Sequence, residues 1–146
     1  MMDDRRNSTT SDELERQLRE AEQAQADADA AVQRAATERA EAEATQQRIL
    51  EEHAARREAL LRCLAEVASD SIKVQATAGM AVVTLLPGVA SDVDIALRAL
   101  QFGLAPARLS PWYMQPPRQQ GLLLGVTNLN ERRLLVDCRR LLELAR

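Results

Sequence analysis

The side chains able to do chemistry in this sequence are few, and their spacing assembles none of the common catalytic sets. His53 is the single histidine. A Ser-His-acid triad needs an acid to orient the imidazole and a hydroxyl for it to deprotonate, and a zinc centre needs further ligands at short spacings. Neither surrounds His53, which reads as a surface or seam residue of a helix. Cys63 and Cys138 are the only thiols. They make neither a metal-ligand pattern nor a disulfide framework, and are expected as small apolar residues on two packed helices. Lys73 is the only lysine among nineteen basic residues, so it is the one side-chain amine able to form an imine. Trp112 and Tyr113 are adjacent in a proline-rich stretch and are candidates for lining a ligand pocket or an interface. Arg132, Arg133, Arg139 and Arg140 cluster on the polar face of the last expected helix. Without interleaved aromatics or a reader motif they read as a solvated face, and nucleic acid is not an expected partner.

The elements that must hold these residues divide the chain near residue 68. Residues 1–66 carry 16 acids and 10 bases, and residues 67–146 carry 6 and 9. The second part holds all three aromatics, Phe102, Trp112 and Tyr113, so the core must lie there. Residues 1–10 are polar and are expected to be disordered. From Ser11-Asp12-Glu13-Leu14 to Ala68 there is neither Gly nor Pro. Ala, Glu, Gln and Arg predict one long helix over 11–68. Spacing of four then three from Leu14 selects Leu14, Leu18, Ala21, Gln25, Ala28, Val32, Ala35, Arg39, Ala42, Gln46, Ile49, His53, Arg56 and Leu60. That is a coiled-coil period with small and polar content, compatible with a homo-oligomer through this helix. Leu60, Leu61, Leu64, Val67 and Ala68 form an apolar stripe that docks the last turns on the domain.

Ser69-Asp70-Ser71 breaks the helix. Ile72–Gln75 alternates like a strand, Ala76–Gly79 turns, and Met80–Leu86 is an apolar run suited to a central strand ended by Pro87-Gly88. Ser91-x-x-Asp94 caps a helix expected to bury Val93, Ala96, Leu97 and Leu100, stopped by Gly103. A short edge strand over Leu104–Leu109, a loop over Ser110–Gln120, and a buried strand at Leu122–Val126 follow. Asn130 is the expected cap of a last helix with Leu134, Leu135, Cys138, Leu141, Leu142 and Ala145 on one face. The fold class is α+β: a long N-terminal helix, then a small, mostly antiparallel sheet with helices packed on one face over 69–146. No stretch is long and apolar enough to span a membrane, and the start lacks the apolar run of a secretion signal, so the expected setting is the reducing cytoplasm.

The segment from about Arg48 to Arg146 resembles the small C-terminal domain of fold-type I pyridoxal-phosphate enzymes. It is most similar to the aminotransferase-like domain of GntR/MocR-type bacterial transcription regulators. The resemblance is carried by His53–Leu61, Ala78-Gly79-Met80, Leu86-Pro87-Gly88-Val89, Ala99–Gly103, Leu109-Ser110-Pro111-Trp112-Tyr113, Pro116-Pro117, and Gly121–Gly125 with Asn128. It implies a larger preceding domain that supplies the Schiff-base lysine, the acid at the pyridine nitrogen and most of the phosphate cup. It also implies that the Trp112-Tyr113 loop faces the active-site side. Lys73 lacks the serine-rich setting of the family lysine. Relatives place a carboxylate-gripping arginine where Leu123 stands here, leaving Arg108 and Arg118 as the nearby candidates for binding a substrate carboxylate or other anion.

Three expectations follow. The leading one is a non-catalytic, stand-alone or truncated aminotransferase-like small domain, not an enzyme as an isolated chain, with no catalytic residue, metal or cofactor of its own. The second is a lobe completing a pyridoxal-phosphate enzyme or regulator when a partner chain supplies the large domain. The third is a coiled-coil assembly adaptor.

Overall fold

The computed structural model describes residues 4–67, 70–88 and 90–146, with side chains from Thr10 onward except Ala78. The expected helix end at Ala68, Ser69 of the break and Val89 lie outside the described residues. The chain divides into two compact units, Met1–Gln47 and Arg48–Arg146. The boundary therefore falls within the long helix, not at 68/69 as composition suggested.

Helix α1 spans Asp4–Glu66. It begins upstream of Ser11, so residues 4–10 are helical and not irregular as expected; nothing between Asp4 and Thr10 breaks a helix, and Asp4 suits a first turn. Every side chain from Thr10 to Gln47 is exposed. This part is sustained by propensity and by side-chain pairs three and four residues apart, such as Arg16–Glu13 at 2.6 Å and Arg39–Glu43 at 3.0 Å.

In the C-terminal unit, β1 (Lys73–Ala78), β2 (Ala81–Leu85), β3 (Ala107–Arg108) and β4 (Gly121–Gly125) form an antiparallel sheet in the order β1-β2-β4-β3. The β1–β2 turn is tighter than Ala76–Gly79 suggested, because β1 continues to Ala78 and Gly79 supplies a φ of 52°. Helix α2 (Asp92–Ala99) continues as a 3-10 turn, Leu100–Phe102, which ends at Gly103 with φ 87°. Helix α3 spans Leu134–Ala145. It starts later than Asn130 suggested. Arg133 is its N-cap, while Asn130 closes the preceding turn by accepting the Arg132 N–H at 3.2 Å.

Cross-strand register separates the sheet's faces. Val82 pairs with Leu124 and Thr84 with Leu122, which places these four side chains together. Leu60 and Leu64 of α1, Ile95 and Ala99 of α2, and Cys138, Leu141 and Ala145 of α3 join Val82, Leu122 and Leu124 in one buried core. The helices thus cover a single face, as expected. The buried Thr84 hydroxyl donates to the Leu122 carbonyl at 3.1 Å, so it carries no unsatisfied donor. Arg56 donates to the Thr127 carbonyl and Arg57 to the Gly79 carbonyl, tying the last turns of α1 to the ends of β4 and the β1–β2 turn.

Gly121 is the tightest point. A Cβ there would stand 2.5 Å from the Thr84 carbonyl oxygen and 2.9 Å from Leu109 Cδ2. The first neighbour is backbone in a central strand and cannot swing aside. Gly121→Ala is expected to lower stability by about 2–3 kcal/mol, read from denaturant unfolding. Gly125→Ala, where a Cβ meets open space, is the control, and equal losses in the two variants would count against this packing.

Candidate functional site

The site candidates sit on the segment between α2 and β4, and one buried carboxylate holds that segment. Asp92, the first residue of α2, is fully buried. Its Oδ2 accepts the N–H groups of Leu109, Ser110 and Gly121 at 3.1, 2.7 and 3.1 Å, and its Oδ1 accepts the Ser110 hydroxyl at 2.6 Å. Its own N–H donates to Gln120 Oε1 at 3.0 Å. Burial pushes this carboxyl up, but the bonds from the Ser110 hydroxyl and from the Ser110, Gly121 and Leu109 N–H groups outweigh it. The net result lies below the ordinary 3.8. Sequence reading missed Asp92 and credited the cap to Ser91 and Asp94, a bond that exists at 3.4 Å. The available signal was the row Asp92, Ile95, Ala99: an acid at the head of an apolar stripe.

That anchor sets which face of α2 is buried. Asp92, Ile95 and Ala99 face inward, while Leu97 and Leu100 are 59% and 60% exposed. The expected core face of Val93, Ala96, Leu97 and Leu100 is therefore corrected at Leu97 and Leu100, while Ala96 is partly buried and packs against the core. Apolar residues cover more than half the circumference of this short helix, so periodicity leaves two overlapping stripes, and burial of Asp92 selects one. The other stripe lines an open groove of ≈ 490 Å³ with Pro106, Ala107, Arg108, Pro111 and Trp112.

The candidates are thereby separated. Arg108 and Trp112 share this groove. Trp112 ends the 3-10 turn Ser110–Trp112, a short regular turn inside the expected loop, and is 63% exposed. Tyr113 is half-buried and spends its hydroxyl locally, donating to Gln119 Oε1 at 2.7 Å. Arg118 is exposed on the same segment and does not line the groove. Arg108 pairs in register with Leu122, whereas Leu123 pairs with Ala107 on one side and Val83 on the other. Alternation along a strand puts Arg108 on the helix-covered side of the sheet and Leu123 on the opposite side. Arg108 therefore does not stand in for a cation at Leu123.

Lys73 is exposed and opens β1, opposite Leu85. Its flanking residues Ile72 and Val74 and its cross-strand partner Leu85 are apolar. His53 is a half-buried residue of α1. The thiols are free. Burial pushes the Cys138 thiol up to about 12 and also raises that of Cys63, leaving both protonated and poor nucleophiles near neutrality. Three of the four clustered arginines have intramolecular partners: Arg133 with Asp137 at 3.6 Å, Arg139 with Glu66 at 3.7 Å, and Arg140 over the Phe102 ring at 5.8 Å. Among the described residues no group of three or more His, Cys, Asp or Glu is placed to hold a metal, and no helix is long and apolar enough to cross a membrane.

Because the folded Asp92 carboxyl lies below its unfolded value, its stabilisation is present above pH 3.8 and is lost as the pH falls through the folded value. Asp92→Asn points an amide N–H₂ at backbone donors and is expected to cost about 2–4 kcal/mol at pH 7. Unfolding of both proteins between pH 7 and pH 2 should show this gap closing at the acid end; a gap independent of pH would contradict the ionised anchor.

The fold has counterparts among solved structures. The kynurenine aminotransferase of Pyrococcus horikoshii matches with a TM-score of 0.58 at 23% identity, covering 68% of this chain and 25% of that one. The multiple substrate aminotransferase of Thermococcus profundus matches at 0.57 and 24%, covering 68% and 25%. The alpha-aminoadipate aminotransferase of Thermus thermophilus matches at 0.57 and 21%, covering 68% and 26%. No family model and no curated protein matches the sequence. The chain spans about a quarter of the length of these structures, and at such identities the likeness concerns fold alone. The chain contains an aminotransferase-like α+β fold, as a part about one quarter the size of the proteins that share it.

Proposed function

We propose that residues 48–146 act as a non-catalytic aminotransferase-like small domain, related to that of GntR/MocR-type regulators, and that the chain by itself holds no cofactor and turns over no amino acid. The observation that carries this reading is Leu123. It stands where the resemblance calls for a carboxylate-gripping arginine, between Val83 and Ala107, and the nearby Arg108 lies on the other side of the sheet. A leucine in that position offers apolar surface where an amino-acid substrate presents a charge. Lys73, alone and exposed at the start of β1, supports the same reading.

A second reading draws on the same sheet face. Val83, Leu85 and Leu123 are only partly covered, and a half-open apolar sheet suits packing against a larger domain supplied by a partner chain. That would make the unit a completing lobe whose chemistry resides elsewhere.

Pyridoxal phosphate added to the purified chain separates these ideas from an enzyme. The expected result is no stable imine band at about 420 nm after removal of excess cofactor. A band that persists, and that disappears in Lys73→Ala, would overturn the non-catalytic reading.

A further inference from the structure

Two of the open apolar surfaces among the described residues lie in parts of the chain of opposite net charge. On α1, Leu14, Leu18 and Val32 lie on the four-three seam at 65%, 60% and 70% exposure. Residues 1–47 hold 12 acids and 6 bases, a net of −6. The second surface is the groove bounded by α2 and Trp112. Arg108 is the one charged residue lining it, and among the described residues its guanidinium has no hydrogen bond or ion pair. Residues 48–146 hold 10 acids and 13 bases, a net of +3.

The flank of the seam argues against pairing it with the same seam of another copy. Glu15, Glu22 and Asp29 follow directly on seam positions 14, 21 and 28 and border any helix laid along it. An antiparallel pair sets these carboxylates against each other. A parallel pair sets Glu22 and Asp29 against Gln17 and Ala24, which supply no cation. The seam itself is alanine-rich and contains Gln25, so such a pair gains little apolar area to offset the repulsion.

The groove supplies what the seam lacks. Val93, Ala96, Leu97 and Leu100 form one wall, Pro111 and Trp112 the other, and Arg108 brings a cation. Two leucines one helical turn apart are the anchors that a helix offers to such a groove. Aromatic and arginine side chains together are the composition of strong binding patches. The ion pair that Glu15 makes with Arg19 at 3.9 Å is exposed and is readily exchanged for Arg108.

We propose that helix α1 of one copy docks, through Leu14 and Leu18, into the α2–Trp112 groove of a second copy, with Glu15 facing Arg108. This interface involves neither Leu123 nor Lys73 and stands independently of the non-catalytic reading.

Analytical ultracentrifugation of the full chain and two surface variants tests it. One variant breaks the helix anchor, Leu14→Ser with Leu18→Ser. The other breaks the groove, Leu97→Glu with Leu100→Glu. All four positions are exposed, and circular dichroism checks the fold of each variant. The unaltered chain should self-associate at tens of micromolar and do so at least about tenfold more weakly in about 0.5 M salt. Each variant alone should be monomeric. An equimolar mixture should recover a heterodimer, since one intact helix and one intact groove remain. Trp112, the only tryptophan, should shift its emission to shorter wavelength on mixing. A monomeric unaltered chain, a groove variant that still self-associates, or a mixture that stays monomeric would each overturn the proposal; the second of these outcomes would instead indicate a helix–helix pair.

Discussion

The Asp92 carboxylate is the constraint around which the C-terminal unit is arranged. It gathers four donors from Leu109, Ser110 and Gly121, residues that enter the sheet from different directions. The Ser110 and Gly121 N–H groups depend on this acceptor, and burying either without one costs about 1–3 kcal/mol, while the Leu109 N–H is shared between Asp92 and the Gly121 carbonyl. A neutral side chain of similar size has too few lone pairs to serve them all, so charge is retained in a buried position and satisfied by hydrogen bonds instead of a counter-ion. The anchor also fixes the rotation of α2 about its axis. Once Asp92 is inside, Ile95 and Ala99 must follow it, and Leu97 and Leu100 must face out. The open groove with Trp112 is thus a by-product of burying one acid.

The sheet imposes the second constraint. Strand alternation leaves Arg108 and Leu123 on opposite faces even though Arg108 and Leu122 are paired neighbours. Sequence proximity therefore says little about which cation serves which surface. Gly121 shows the same economy of space: its N–H feeds Asp92, its carbonyl accepts the Leu109 N–H at 2.9 Å, and its missing side chain lets Thr84 and Leu109 approach. Strand pairing, the acid anchor and the close approach meet at one residue.

Helix α1 combines two different energetic regimes. From Thr10 to Gln47 its side chains are exposed, and its persistence rests on alanine, glutamate and arginine propensity with exchangeable ion pairs. In its last turns Leu60 and Leu64 are buried in the core and Arg56 and Arg57 hold backbone carbonyls. There tertiary packing determines the helix, as it does for most helices in globular units.

Element order, strand content, the Gly103 stop and the apolar face of α3 were legible in the sequence because each rests on local physics: turn residues, propensity, and periodicity over segments long enough to be unambiguous. The aminotransferase-like fold was legible too, from the order of short motifs between His53 and Asn128. Three features were not. The unit boundary inside α1 depends on where packing begins, and a helix former looks the same on either side of it. The buried face of α2 depends on Asp92, whose partners lie 17 to 29 residues away in sequence. The separation of Arg108 from Leu123 depends on register, which is a property of two strands together and of neither alone. Local composition specified what each segment would become; only the closure of the sheet around a buried carboxylate decided which of its faces would meet solvent.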